Sequence, residues 1–387
     1  MLNRRTLRIK VLQTLYALRQ AEAANYSLAL DSIKQTFEPN LNVMAAQNLP
    51  RLEGLRQLAT LTFEEQAQGK ANEEEVPAEA RRAASDALAF YRERNRQDRL
   101  RLSKLALDEI ERIQEYYLKV LLLLVELGDE AALADDRRQY DTPDVLPTTT
   151  FSRNAAIEAL RQLKPLHTEA IRRNVSWSDE DRLMLIRPHF RDVLRADAEF
   201  IAYCRKSSHS PEEDVLLVQN LLKTLIFRSD RWESYFENQD LYWDENRDIV
   251  RSLSLKTLKA VAETGHAELQ PLAPAWEADR EYFQNLLRQS LLYADDYETL
   301  VREQVQNWEL DRLALTDRLL LTAALTELLH FPNIPVKVTL NEFIEVAKEY
   351  STPKSGQFLN GILDVLAIKL KENGTLRKSG RGLIDNR

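Results

Sequence analysis

Three observations predict an all-α protein: apolar residues recur at helical spacing, long stretches contain no helix breaker, and glycine is scarce. Nine glycines in 387 residues are few, and a chain of many short strands would need more of them for the positive φ angles of hairpin turns. In the first twenty residues Leu7, Val11, Leu12, Leu15 and Leu18 recur at separations of three and four, which marks an amphipathic helix. That helix carries Arg4, Arg5, Arg8, Lys10 and Arg19 and no acid, although the chain has a net charge of -8. A local reversal of this kind suits either a polyanion contact or a solvated helix end.

Helical patterning continues around residues 28–37, breaks at Pro39 and resumes to about Glu65. Residues 66–86, with Gly69, Glu73, Glu74, Glu75 and Pro77, have the composition of a solvated linker. From 83 to 133 the chain predicts one long helix or helix hairpin. Leu102, Leu105, Ile110, Ile113, Tyr117 and Val120 keep mostly helical spacing, and no Pro or Gly intervenes before Gly128. Asp135, Asp136, Pro143, Pro147 and Thr148, Thr149 and Thr150 then predict a connector over 135–151. Helices resume at Asn154 with interruptions at Pro165 and Pro188, and Ser210, Pro211, Glu212 and Glu213 predict a capped helix start running to about Phe227. Trp232, Tyr235, Phe236, Tyr242 and Trp243 form the most aromatic stretch; the acids among them favour a core or a protein-docking surface over base stacking.

Length allows two folding units, or one unit with a large insertion. The single cysteine, Cys204, permits no internal disulfide and no thiolate cluster, which fits a cytoplasmic protein. The aliphatic run 120–125 is too short to cross a bilayer. His167, His189, His209, His266 and His330 lack the spacings that put two imidazoles on one metal, and no phosphate loop, dinucleotide fingerprint or nucleophile elbow occurs. No catalytic residue, cofactor or metal is therefore expected, and no enzyme.

Specificity concentrates between residues 308 and 367. Leu315, Leu319, Leu320, Ala323, Ala324 and Leu328 predict a helix buried over a wide face and ended by Phe331 and Pro332. Residues 334–338 read as an extended link, and Thr339 with Glu342 as a capping box for a short helix that Pro353 stops. Lys354, Ser355, Gly356 and Gln357 read as a tight loop before a last helix whose core stripe is Leu359, Leu363, Leu366 and Leu370. Phe358 falls off that stripe, so it is either a stacking platform for an unpaired base or a hydrophobic staple.

These residues resemble the NusB family of transcription antitermination factors. The resemblance rests on Arg4, Arg5 and Arg8 followed by Leu12, Gln13, Thr14, Leu15 and Tyr16. At the other end it rests on Tyr282, Phe283, Asp317, Arg318, Glu327, Ile334, Pro335, Asn341, Glu342 and the run Phe358, Leu359, Asn360, Gly361, Ile362, Leu363 and Asp364. It implies a two-subdomain helical bundle, here with a large helical expansion of the N-terminal half over about 20–277. The expected division is 1–277 as an N-terminal subdomain, 278–372 as the C-terminal one and 373–387 as a basic flexible tail. It also implies binding of single-stranded boxA RNA from rRNA transcripts, together with NusE, a small-subunit ribosomal protein, to modify elongating RNA polymerase. Carried over by position, the RNA-binding residues are Arg4, Arg5, Arg8, Tyr16, Lys354, Ser355, Gln357 and Phe358, and Asp317 and Glu327 lie toward NusE. Gln357 stands where the family commonly has a basic residue. The competing expectation is a helical protein-interaction scaffold with reduced RNA binding. An rRNA methyltransferase with a NusB-like domain would need a glycine-rich cofactor domain, for which the sequence has no signature.

Overall fold

The computed structural model describes residues 1–39, 48–70, 76–141, 146–304 and 313–384. Among them no strand forms, and the fold is all-α. The chain opens with α1 (Arg4–Thr36), α2 (Leu49–Ala67) and α3 (Ala78–Asp141). Shorter helices follow: α4 (Thr149–Ser152), α5 (Ala155–Gln162), α6 (Lys164–Arg172), α7 (Asp179–Asp181), α8 (Arg187–Asp192), α9 (Ala198–Cys204), α10 (Pro211–Leu221) and α11 (Asp230–Glu237). The last six are α12 (Trp243–Thr264), α13 (Trp276–Leu292), α14 (Ala294–Gln304), α15 (Leu315–His330), α16 (Val336–Tyr350) and α17 (Ser355–Glu372). No described helix is long and apolar enough to cross a membrane.

The chain divides into two compact units, one of Met1–Asn3 with Asp108–Glu277 and the other of Arg4–Leu107 with Ala278–Arg387. An N-terminal subdomain of 1–277 is thus not what forms. The apolar stripe of α1 packs on α15 and α16, so the first helix is held by the last hundred residues. Burial explains the pairing: Leu7, Val11, Leu12 and Leu15 on α1 are nearly inaccessible, as are Leu320, Ala323, Ala324 and Leu328 on α15.

In that terminal unit α2 and the start of α3 close over the far end of α1. Ala29, Ile33, Phe37, Leu55, Ala59, Phe63, Ala80, Ala84 and Ala87 form one cluster, and the alanines let the helices approach closely. Tyr26, Phe63 and Tyr91 pack ring against ring at 5.2–6.0 Å. In the central unit, the later part of α3 meets α12 and α5, where Arg161 Nη2 donates to Asp129 at 2.6 Å. Tyr117 shares a short hydroxyl contact with Thr257 and accepts from Gln270 N at 3.0 Å, and Trp177 Nε1 donates to the Lys119 carbonyl at 3.1 Å. Trp232, Phe236 and Trp243 are buried here and belong to the core, while Tyr235 and Tyr242 are half-buried.

Several element boundaries differ from expectation. The linker 66–86 is shorter, because α2 reaches Ala67 and α3 starts at Ala78; Glu73, Glu74 and Glu75 lie outside the described residues. The long helix extends to Asp141, through Asp135, which is half-buried and whose carboxylate accepts from Thr148 N at 2.7 Å. Pro143 lies outside the described residues. α10 starts at Pro211 as expected, and Ser210 with Glu213 forms a capping box there. Residues 336–338 are helical, not extended: α16 starts behind Pro335, and Thr339 sits inside the helix. The expected tail makes contacts within the described residues up to 384. Lys378 Nζ donates to the Phe331 carbonyl at 3.1 Å, Ser379 N donates to Pro332 O at 3.0 Å, and a short 3₁₀ turn, Gly380–Leu383, follows.

Candidate RNA interface at the first helix

The terminal unit gathers the predicted site residues around α1, α15, α16 and the start of α17, but it uses them in two different ways. Arg8 lies on the apolar stripe of α1, one turn before Leu12, and is 3% exposed. Burying a guanidinium requires a partner. Its Nε and Nη2 donate to the two oxygens of Glu327, each at 2.8 Å, and Nη1 approaches Glu342 at 3.5 Å. Glu327 is fully buried, and it also accepts from Thr339 Oγ1 at 2.7 Å and from the Tyr282 hydroxyl. Burial first, and then the Glu327 carboxylate, hold the Tyr282 phenol proton well above its ordinary pKa, so Tyr282 remains a donor. The expectations that Arg8 offers a phosphate contact and that Glu327 faces a protein partner are therefore corrected: the two side chains saturate each other.

Asp317 is likewise turned inward. It is 5% exposed, and its two oxygens accept from Ser351 Oγ at 2.6 Å and Ser355 Oγ at 2.8 Å. Ser355 Oγ also accepts from Thr352 N at 3.1 Å. Through these bonds α15 fixes the turn that opens α17, which begins at Ser355, earlier than the expected loop allowed. Ser355 is buried and presents no hydroxyl to a ligand. At Gly356 α17 runs close to α16, and a Cβ there would come 3.1 Å from Lys348 Cγ.

The remaining predicted residues face outward. Arg4 pairs with Asp279 at 3.1 Å with its own side chain 44% exposed, and lies over the Tyr282 ring at 4.8 Å. Arg5 is 42% exposed and pairs bidentately with Glu342 at 3.0 and 2.9 Å. Tyr16 is 41% exposed and stands eleven residues after Arg5, three turns on along the same face of α1. Lys354 and Gln357 are exposed and Phe358 is half-buried off the core stripe. Both clusters border α16, since Arg5 pairs with Glu342 and Gly356 meets Lys348 and Ile344.

Glu342, Tyr282, Thr339 and Asp279 were not singled out as site residues. The signal for the first three was present: an arginine on an apolar stripe needs buried acceptors, and these acceptors need donors. Cys204 is buried, and burial, then the Asp135 charge, push its thiol up to about 12, which makes it a poor nucleophile. Among the described residues no group of three or more His, Cys, Asp or Glu side chains could hold a metal ion.

The NusB family model matches residues 248–367. The transcription antitermination protein NusB of Salinibacter ruber is 38% identical over 146 residues, which cover 36% of this chain and 91% of that protein. The chain belongs to the NusB family. The NusB of Chloroherpeton thalassium is 41% identical over 27% of this chain and 50% of its own length, and that of Methylacidiphilum infernorum 38% identical over 26% and 69%. No solved structure matches significantly. The functional class that goes with the family, a transcription antitermination factor, is the class of this chain. Because the Salinibacter protein aligns over 91% of its length to 36% of this one, most of the residues here are additional to the shared NusB body.

Proposed function

We propose that this NusB-family protein binds boxA-type single-stranded RNA of rRNA transcripts together with NusE and modifies the elongating RNA polymerase. The observation that carries the reading is the division of labour around α1. Arg4 and Arg5 are held at the surface by single acidic partners, while Arg8 is locked beneath them. The Arg4 and Arg5 side chains stay 44% and 42% exposed, so a phosphate can approach their guanidinium groups beside Asp279 and Glu342 and add charge-assisted hydrogen bonds. Tyr16 and Phe358 offer rings for unpaired bases, and Lys354 and Gln357 supply a cation and an amide. Arg8, Ser355, Asp317 and Glu327 act behind this surface as positioning residues. NusE is assigned to the α15 side of the unit by family resemblance alone.

The test is fluorescence anisotropy of a boxA RNA and a scrambled control, with and without NusE, for wild type and an Arg4→Ala/Arg5→Ala variant. Arg8 stays intact, because its loss would unfold the site. Preference for boxA, strengthened by NusE and weakened in the variant, supports the reading. Equal binding of both RNAs in every condition would replace it with that of a NusB-shaped interaction scaffold.

A further inference from the structure

Helix α3 carries a charge pattern that the α1 site does not use. Arg92, Arg94, Arg96, Arg99, Arg101 and Lys104 stand against only Glu93 and Asp98. Thirteen residues of a chain with net charge -8 thus hold four net positive charges. All six basic residues are exposed. The two acids are already engaged, Glu93 with Arg96 at 2.8 Å and Asp98 with Arg101 at 3.2 Å. Arg92, Arg99 and Lys104 have no ion pair among the described residues.

The placement is directional. Arg92, Arg96, Arg99 and Ser103 follow one another at i, i+4, i+7 and i+11 and so share one face of α3. The adjoining face holds α3 against α1, where Asn25 donates to Asn95 at 2.9 Å and to Asp98 at 2.8 Å. Within the terminal unit, Arg99, Ser103 and Lys104 form one wall of a groove of about 930 Å³, with Arg19 of α1 and Asn285 and Arg288 of α13 among its other lining residues. Leu100 and Leu292 line it as well and are 64% and 67% exposed. A second groove is lined by Arg4 and, again, by Asn285 and Arg288. The two grooves share Asn285 and Arg288, so Arg4, Arg288, Arg19, Arg99 and Lys104 border adjoining grooves in which Glu22, Asp98, Glu281 and Asp295 also stand.

We propose that this groove carries single-stranded RNA continuing from the α1 site, with its phosphates on Arg92, Arg99, Lys104 and Arg288 and its bases against Leu100 and Leu292. The proposal rests on the RNA reading of α1 and adds a second contact made by the expansion. Asn95 and Asn285 supply the donors and acceptors that base edges need. An anionic membrane fits less well, because an interfacial helix must offer a continuous apolar face, and the alanine face of α3 is buried inside its own unit.

The experiment compares a minimal boxA RNA with the same RNA extended by about ten unpaired nucleotides on either side, using the full chain at several salt concentrations. Wild type should bind the extended RNA more tightly, with a log-log salt slope steeper by about 3, as four further phosphates at about 0.7 each require. An Arg92→Gln/Arg99→Gln/Lys104→Gln variant should lose most of this gain, its slope for the extended RNA exceeding that for the minimal RNA by only about 0.7, the share of Arg288, with an unchanged melting temperature. An Arg94→Gln/Arg101→Gln variant, changed on the opposite face, should keep the gain. Equal binding of both RNAs by wild type, or an equal loss in the opposite-face variant, overturns the groove while leaving the α1 site intact. Failure of wild type to bind either RNA removes the α1 reading itself. Phosphatidylglycerol vesicle binding that the triple variant loses, with no gain for extended RNA, overturns the proposal in favour of a membrane.

Discussion

Arg8 and Glu327, 319 residues apart in the chain, are joined by two hydrogen bonds of 2.8 Å in a site that excludes water from both. This pair ties the first helix to the C-terminal block. Removing one partner strands a buried charge, which costs about 3–5 kcal/mol. Arg8→Ala should therefore lower hydrogen-exchange protection of α1 and α15 amides by two to three orders of magnitude or more. An Arg8→Met/Glu327→Leu double variant should lose less than either single change.

Asp317 fixes the turn before α17 through Ser351 and Ser355. Asp317→Ala leaves both hydroxyls without their acceptor, at a cost of roughly 1–3 kcal/mol. RNA affinity should fall although Asp317 is buried, and Ser355→Ala should produce a smaller change in the same direction. Unaltered RNA binding in Asp317→Ala would show that the turn has no bearing on the interface.

Phe358 is half-buried and off the core stripe. If it stacks a base, Phe358→Ala weakens boxA binding by about 1–3 kcal/mol, with little change in melting temperature, and Phe358→Trp retains affinity. A variant that melts much earlier but binds normally would identify Phe358 as packing only.

His189 predicts a pH dependence for the central unit. Its ring is fully buried, edge-on to Trp232 at 5.3 Å, and neither ring nitrogen has a hydrogen-bond partner among the described residues. Burial, reinforced by the nearby Arg231 charge, lowers its pKa to about 4. The unfolded chain takes up a proton near pH 6.5 and the folded one only near 4. Stability therefore holds above about 6.5 and declines as pH falls across that window, by up to roughly 3 kcal/mol. Urea unfolding at pH 7 and pH 4.5 measures this, and His189→Phe should flatten that part of the dependence.

The local pattern carried much of this molecule. The i, i+3, i+4 spacing on α1, the stripe of Leu359, Leu363, Leu366 and Leu370, and the Ser210–Glu213 capping box all express interactions within one helix or along one face, which neighbouring residues suffice to specify. The family resemblance was legible too, because its residues are clustered at the two ends of the chain. Arg8 shows where such reading stops. Its place in a basic run suggested an exposed phosphate contact, and its place on the apolar stripe indicated burial; nothing within α1 ranks one above the other.

Thr339 and Asp317 make the same point. A Thr with Glu three residues on satisfies a capping box locally, but Pro335 starts the helix earlier and Glu327, from another helix, claims the Thr339 hydroxyl. The grouping of residues 4–107 with 278–387 and the inward turn of Glu327 and Asp317 both depend on which distant apolar faces and buried charges find each other. Helix periodicity fixes which residues share a face, since it is a property of successive φ and ψ angles. It does not fix what that face meets, because a buried charge is satisfied only by partners that folding brings from far along the chain.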